Sequence, residues 1–166
     1  MKQTIYLAGG CFWGVDAYFK NIEGVTETEV GYANGNTTET FYENLKNTDH
    51  AETVKVTYDD SLTSLGKLLD YFYYIVDPFS VDKQGADTGR QYRTGIYATD
   101  KKTLDKVENF IGSKQKDEDK KIQIEVEDLK NYIRAEGYHQ DYLKKNPNGY
   151  CHVNLSDIPE LKNSEK

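Results

Sequence analysis

The sequence predicts an α+β fold built as a two-layer α/β sandwich. Strand-like and helix-like segments follow one another without the strict alternation of a doubly wound sheet. Three strand-like segments alternate apolar and polar residues, which is typical of a sheet with one buried face. With 166 residues, of which 37% are apolar, the chain is long enough for one sizeable core and too short for two comfortable ones.

The first strand and helix meet at a cysteine. The segment "TIYLA" alternates as a strand, and a Gly–Gly pair ends it. The segment "CFWGVDAYFKNI" places Phe12, Val15 and Phe19 on one face of a helix. Cys11 is therefore predicted to lie at a strand-to-helix turn.

The remaining elements follow from the same periodicities. In "HAETVKVTYDD", Val54, Val56 and Tyr58 share one face of a strand. Ser64 is a candidate cap of the next helix, and Thr99 or Asp100 caps a later one. The predicted strands are 4–8, 24–33, 50–60, 92–98 and 121–129, and the predicted helices are 11–22, 41–47, 64–78 and 100–116.

The segments between and after these elements define the domain. The loop "SVDKQGADTGRQ" is long enough that a compact domain would usually use it for function. The C-terminal end is polar and is expected to fray. We expect a single domain over residues 1–155, followed by a polar tail over residues 156–166.

Composition excludes several classes of partner. Charged residues make up 30% of the chain, the net charge is −7, and no basic cluster suggests binding to nucleic acid or to an anionic membrane. No run of 18 apolar residues and no secretory h-region occurs, which predicts a cytoplasmic protein. Two cysteines argue against a disulfide framework. The three histidines show no zinc-ligand spacing, so we expect no metal.

The stretch "GGCFWG" is the strongest candidate for chemistry. A helix N-terminus favours a thiolate and lowers the pKa of a cysteine, which makes Cys11 a plausible nucleophile. Phe12 and Trp13 offer an aromatic wall to an apolar group. These residues alone leave a second interpretation open, in which Cys11 is a small core residue among aromatic neighbours.

Five blocks in order make the chain resemble the peptide methionine sulfoxide reductases of the A type. The blocks are "GGCFWG", "GYANG", "HAETVKVTYD", "GADTGRQYRTGIY" and "NPNGYC". The resemblance implies an enzyme that reduces the S epimer of methionine sulfoxide, free or in proteins, to methionine. It agrees with the predicted sandwich, for which we expect a ferredoxin-like core and a mixed, mainly antiparallel sheet. We also expect a monomer that uses no cofactor.

Glu52 is the candidate general acid. It shares strand parity with Val54, Val56 and Tyr58, so its carboxyl should point to the apolar side. Burial raises the pKa of a glutamate and lets it hold a proton near neutrality. By parity alone Glu52 could also reach solvent at the strand end. The resemblance implies that it protonates the sulfoxide oxygen while Cys11 attacks the sulfur.

The resemblance assigns further residues to the substrate. Tyr32 and Tyr92 match tyrosines that hydrogen-bond the sulfoxide oxygen, and Asp87 matches an aspartate that helps to hold the substrate. Phe12 and Trp13 match the pocket for its S-methyl group. A hydroxyl is a suitable donor for this oxygen, although position alone does not single out two of 14 tyrosines.

The resemblance also implies a second redox step. Cys11 becomes a sulfenic acid, Cys151 condenses with it to a disulfide, and a thioredoxin reduces that disulfide. Longer family members carry a further cysteine in a glycine-rich tail, and this chain has no third cysteine for such a relay. Asn34 stands where the family commonly has glycine, in the turn after Tyr32.

Two other function classes compete with the reductase. A cysteine hydrolase or acyl transferase would pair Cys11 with His50 or His139 and would need an orienting partner nearby. A non-catalytic binding module would use the Phe12–Trp13 corner to grip an apolar side chain. The positions of the histidines test the first class, and turnover with dithiothreitol tests the second.

Overall fold

The computed structural model of the chain describes residues 1–146. The strands are β1 (Lys2–Gly9), β2 (Val25–Ala33), β3 (Ala51–Asp59), β4 (Lys83–Gln84), β5 (Asp87–Thr88), β6 (Thr94–Ala98), β7 (Glu125–Asp128) and β8 (Ile133–Arg134). The helices are α1 (Phe12–Lys20), α2 (Leu45–Thr48), α3 (Leu65–Ile75), α4 (Lys101–Lys116) and α5 (Tyr142–Lys145), and short 3₁₀ turns cover Tyr42–Asn44, Arg90–Tyr92 and Gly137–His139.

Six strands of the described chain form the main sheet in the order β7-β6-β1-β3-β2-β8. Among these strands, only the β6–β7 pair is parallel. The central strands come from two interleaved halves, β1-α1-β2 and β3-α3-β6, which is the ferredoxin-like arrangement. The predicted α+β sandwich with a mixed, mainly antiparallel sheet is confirmed.

The core lies between the sheet and its helices. The apolar stripes of α1 and α3 face the sheet and are buried. The two helix caps predicted from sequence are present. Ser64 Oγ accepts from Lys67 N at 3.1 Å, and Asp100 Oδ2 accepts from Thr103 N at 2.9 Å. The largest fully buried side chains of this core are Tyr18, Tyr32, Phe12, Phe19, Phe72, Ile5, Leu7, Leu68, Leu69 and Ile96.

The structure differs from the sequence-based elements in several places. The helix predicted over 41–47 is a 3₁₀ turn followed by α2, the helix predicted over 64–78 ends at Ile75, and β8 and α5 have no counterpart among the predicted elements. The strand predicted over 121–129 is confined to β7, because Gln123 N donates to Pro78 O at 2.7 Å, a partner outside the sheet. Inside the predicted long loop, the two-residue strands β4 and β5 form a hairpin that pairs Gln84 with Asp87. Gln84 Nε2 donates to Thr94 Oγ1 at 2.8 Å, which ties the hairpin to the start of β6.

Asn34 occupies a backbone conformation that suits glycine or asparagine. Its φ is 58°, in the left-handed region. Its side-chain amide donates to Asp128 O at 2.9 Å and accepts from Lys130 N at 3.1 Å. The departure from the family's glycine therefore leaves the turn after Tyr32 intact and ties it to the segment that follows β7.

Replacing Asn34 by alanine should lower the free energy of unfolding by about 2–3 kcal/mol, from two lost hydrogen bonds and a strained φ. Asn34→Gly loses the same hydrogen bonds without the strain, so it should cost less. Urea unfolding of both variants measures the difference. Equal losses would mean that the left-handed φ carries no cost at this position.

Candidate active site

The candidate residues converge because several elements end or begin at one edge of the sheet. At this edge β1 and β2 end while β3 and β6 begin, as the pairings Tyr32–Glu52 and Gly9–Thr94 show. Cys11 follows β1 directly, and the 3₁₀ turn with Tyr92 precedes β6. Residues that are far apart in sequence are thus brought to one end of the fold.

Cys11 is the N-cap residue of α1, at the strand-to-helix turn that the sequence predicts. The thiol is buried, with 7% of the residue exposed. Burial raises the pKa of Cys11, the Glu52 carboxylate raises it further, and hydrogen bonds from the Trp13 and Gly14 backbone lower it. The net shift is upward, so the sequence-based expectation of a lowered pKa is wrong. The lowering of the Cys11 pKa by the helix N-terminus is smaller than the increase from burial next to a carboxyl group.

Glu52 points into the core, as strand parity predicts, and is 1% exposed. One carboxyl oxygen, Oε1, accepts a hydrogen bond from Phe12 N at 3.1 Å. The other, Oε2, is buried without a hydrogen-bond partner among residues 1–146. Burial raises the pKa of Glu52, and the charge of Asp87 raises it further. The hydrogen bond from Phe12 N lowers it, and the resulting pKa is about 8. Glu52 therefore holds a proton at neutral pH, and Oε2 is free to carry it.

Tyr32 lies opposite Glu52 on the neighbouring strand and is 1% exposed. Its hydroxyl donates to Glu136 Oε1 at 2.5 Å. Burial raises the pKa of Tyr32, and the Glu136 hydrogen bond raises it further, so the phenol keeps its proton. Sequence reasoning missed Glu136, which is 104 residues from Tyr32.

Tyr92 and Asp87 approach from the loop between α3 and β6. Burial raises the pKa of Tyr92, and the charges of Glu52 and Asp87 add to the increase. The interaction of the Tyr92 hydroxyl with that of Tyr42 raises the pKa of Tyr92 further. Asp87 also raises the pKa of Cys11, which reflects its proximity to the thiol.

A buried arginine anchors the turn that carries Tyr92. Arg93 is 4% exposed and forms an ion pair with Glu125 at 3.2 Å. Its guanidinium also donates to Asn34 O at 3.0 Å and to Arg90 O at 2.9 Å. These contacts link the turn to the end of β2, where Tyr32 lies.

Phe12 and Trp13 form one wall of an aromatic cluster. Trp13 stacks on Tyr142 with ring centroids 3.8 Å apart, and its indole N–H donates to His139 Nδ1 at 3.1 Å. The Phe12 ring lies 5.6 Å from Tyr32 and 5.2 Å from His139. The sequence interpretation did not assign His139 and Tyr142 to this wall. The only signal was the aromatic density of "GYHQDY".

Within residues 1–146, His50 and His139 do not form the arrangement that a cysteine hydrolase needs. His50 contacts Thr48 Oγ1 at 2.9 Å and Asn131 O at 3.1 Å through its two ring nitrogens. His139 uses Nδ1 to accept from Trp13, and its Nε2 is buried without a partner among residues 1–146. Neither side chain is positioned by an acidic residue as in a triad.

Cys151 lies outside the described residues. Within residues 1–146, no cluster of three or more His, Cys, Asp or Glu side chains is arranged to hold a metal ion. No helix in the same range is long and apolar enough to span a bilayer.

The chain is similar to known methionine sulfoxide reductases. The family model described as peptide methionine sulfoxide reductase matches residues 3–166. The structure of reduced Mxr1 from Saccharomyces cerevisiae is 35% identical, with a TM-score of 0.86 over 96% of this chain and 93% of that one. Methionine sulfoxide reductase A of Corynebacterium diphtheriae is 34% identical, with a TM-score of 0.81 over 90% and 77%.

A third similar structure contains a partner protein. It is Mxr1 from Saccharomyces cerevisiae in complex with Trx2. This chain is 26% identical to it, with a TM-score of 0.62 over 85% of this chain and 84% of that one.

Proposed function

Because this chain belongs to the peptide methionine sulfoxide reductase family, as an oxidoreductase of the A type, we propose that it reduces the S epimer of methionine sulfoxide, free or in proteins. Cys11 is the nucleophile and Glu52 the general acid. Residues 1–155 act as one catalytic domain in a cytoplasmic monomer, with residues 156–166 as a tail.

The state of Glu52 carries this proposal. A carboxyl with a pKa of about 8, one oxygen held by Phe12 N and the other unpartnered among the described residues, suits a group that gives up a proton at neutral pH. It lies at the same sheet edge as Cys11, close enough that its ionised form would raise the pKa of the thiol. A purely structural role does not account for this oxygen, because a buried oxygen without a partner costs free energy.

The first step transfers one oxygen atom and two electrons. The Cys11 sulfur attacks the sulfoxide sulfur while Glu52 protonates the sulfoxide oxygen. The protonated oxygen then moves from the substrate sulfur to the Cys11 sulfur: the S–O bond of the substrate and the new S–S bond break, an S–O bond to Cys11 forms, and methionine leaves while Cys11 becomes a sulfenic acid. The proton lost by the Cys11 thiol replaces the one that Glu52 gives. Cys11 is oxidised as the sulfoxide is reduced, so no other reactant is needed.

Substrate contacts come from the walls around Cys11. Phe12 and Trp13 receive the S-methyl group, and the stack of Trp13 on Tyr142 supports a fixed indole. Tyr32 and Tyr92 hydrogen-bond the sulfoxide oxygen as Glu52 protonates it, and Asp87 helps to hold the substrate.

Cys151 completes the cycle. Its thiol displaces water from the Cys11 sulfenic acid to give a disulfide, and a dithiol protein then reduces that disulfide. The structure of Mxr1 in complex with Trx2 supports a thioredoxin as this reductant.

The test is turnover of each epimer separately with dithiothreitol as reductant. We expect methionine from the S sulfoxide and none from the R sulfoxide. Reduction of both epimers at similar rates would contradict the stereochemical part of the proposal. Methionine from neither, with equal affinity for methionine and its sulfoxide, would favour the binding module.

The role of Cys151 is tested by its serine variant. Without reductant, the wild-type protein should yield about one methionine per chain and retain no free thiol, because one disulfide consumes both cysteines. Cys151→Ser should yield the same methionine, keep a sulfenic acid that dimedone traps, and turn over poorly with thioredoxin. Full thioredoxin-dependent activity of the variant would make Cys151 a bystander.

A further inference from the structure

The carboxylate of Glu136 joins two parts of the site. Glu136 precedes the 3₁₀ turn Gly137–His139. Its Oε1 accepts from the Tyr32 hydroxyl at 2.5 Å, and its Oε2 accepts from Tyr42 N at 3.0 Å. Both carboxylate oxygens therefore face donors.

This arrangement fixes the direction of the Tyr32 hydrogen bond. A phenol has one proton, and the proton of Tyr32 is directed at Glu136. The lone pairs that remain on the Tyr32 oxygen can only accept. A sulfoxide oxygen also only accepts, so this Tyr32 cannot donate to it. It can accept from that oxygen once the oxygen carries a proton.

We propose that Glu136 is a positioning residue for the reduction: it holds the Tyr32 hydroxyl as an acceptor, so that the site binds the protonated sulfoxide oxygen more strongly than the unprotonated one. The inference rests on the proposed function, in which Glu52 supplies that proton. Tyr32 and Glu136 exchange no proton with the substrate and end the step unchanged. Tyr32 and Glu136 stabilise the substrate only as the proton moves from Glu52 to the sulfoxide oxygen. An interaction that is stronger in the transition state than in the bound substrate raises the rate.

The electrostatics of the pair agree with this direction. Burial raises the pKa of Glu136, but the hydrogen bonds from Tyr32 and Tyr42 lower it by more, and the net shift is downward. Glu136 is therefore ionised at neutral pH and can only accept.

Glu136→Gln should reverse the Tyr32 hydrogen bond. A carboxamide has one oxygen and one NH₂ group. The oxygen must face Tyr42 N, so the NH₂ donates to the Tyr32 oxygen and frees its O–H to point at the substrate. We expect sulfenic acid formation in a single turnover to slow by about 10²–10³-fold, on the scale of one lost contact to a reacting oxygen. The apparent affinity for the S sulfoxide should not weaken.

A double-mutant cycle separates this role from a structural one. Tyr32→Phe should slow the step to a similar degree, and adding Glu136→Gln to Tyr32→Phe should have little further effect. Glu29→Gln is the matched control, because Glu29 accepts from the Tyr132 hydroxyl at 2.8 Å in a second tyrosine–glutamate pair. Glu29 and Tyr32 have opposite parity on β2, so the control should react at the wild-type rate.

Three outcomes overturn the inference. A Glu136→Gln rate equal to or above that of the wild type means that Tyr32 works as a donor. Equal slowing by Glu136→Gln in the wild-type protein and in the Tyr32→Phe variant means that Glu136 only supports the turn. If Glu136→Gln folds poorly, binding of the S sulfoxide is measured by calorimetry in variants that keep Glu136. The Tyr32→Phe, Cys11→Ser double variant should bind no more weakly than Cys11→Ser alone. A tenfold loss of affinity overturns the inference. A wild-type protein that forms no sulfenic acid refutes the proposed function instead.

Discussion

Cys11→Ser should lose reduction of the S sulfoxide, with a fall in rate on the order of 10⁶, as is typical when a covalent nucleophile is removed. A serine hydroxyl is a weaker nucleophile than a thiol at neutral pH. Its oxygen also cannot take the substrate's oxygen as sulfur does when it forms a sulfenic acid.

Methionine formation under dithiothreitol measures this loss, and circular dichroism shows whether the fold is kept. Cys151→Ser is the matched control, because it changes the other cysteine in the same way and should still react once per chain. Substantial residual turnover by Cys11→Ser would refute Cys11 as the nucleophile.

Glu52→Gln should slow sulfenic acid formation by roughly 10²–10⁴, the usual contribution of general acid catalysis. Glutamine keeps the size of the side chain and an oxygen that can accept from Phe12 N, but it has no proton to transfer. Rapid-quench measurement with the S sulfoxide gives the rate. A near-normal rate would move the acid role to another group, most simply to Tyr92.

Glu52→Gln should also make the free energy of unfolding less dependent on pH. The pKa of Glu52 is raised from 4.5 to about 8, so between these pH values the unfolded chain releases a proton that the folded one retains. The free energy of unfolding therefore falls as pH rises through this window, on the order of 5 kcal/mol in total from this one buried group. In Glu52→Gln this contribution is absent.

Urea unfolding at pH 5 and pH 8 tests the effect. The loss of stability between the two pH values should be several kcal/mol smaller in Glu52→Gln than in the wild-type protein. Identical losses would mean that Glu52 is ionised in the folded state at neutral pH, which is incompatible with its role as an acid.

Local patterns in the sequence predicted the parts of the fold and site that depend on neighbours along the chain. Strand parity was sufficient to orient Glu52, and the Gly–Gly turn placed Cys11 at the start of α1. Glu136 could not be predicted in this way, because its partner Tyr32 is 104 residues away. The pKa of Cys11 was predicted in the wrong direction, because the sequence shows the helix end but not the burial beside Glu52.

The most direct test of the account is whether the S epimer alone oxidises Cys11 to a sulfenic acid. Cys151→Ser is mixed with one equivalent of each sulfoxide epimer in turn, treated with dimedone, digested and analysed by mass spectrometry. The account predicts a dimedone adduct on the Cys11 peptide and an equal amount of methionine with the S epimer, and neither with the R epimer. Methionine formed from the S epimer without an adduct on Cys11 would contradict it.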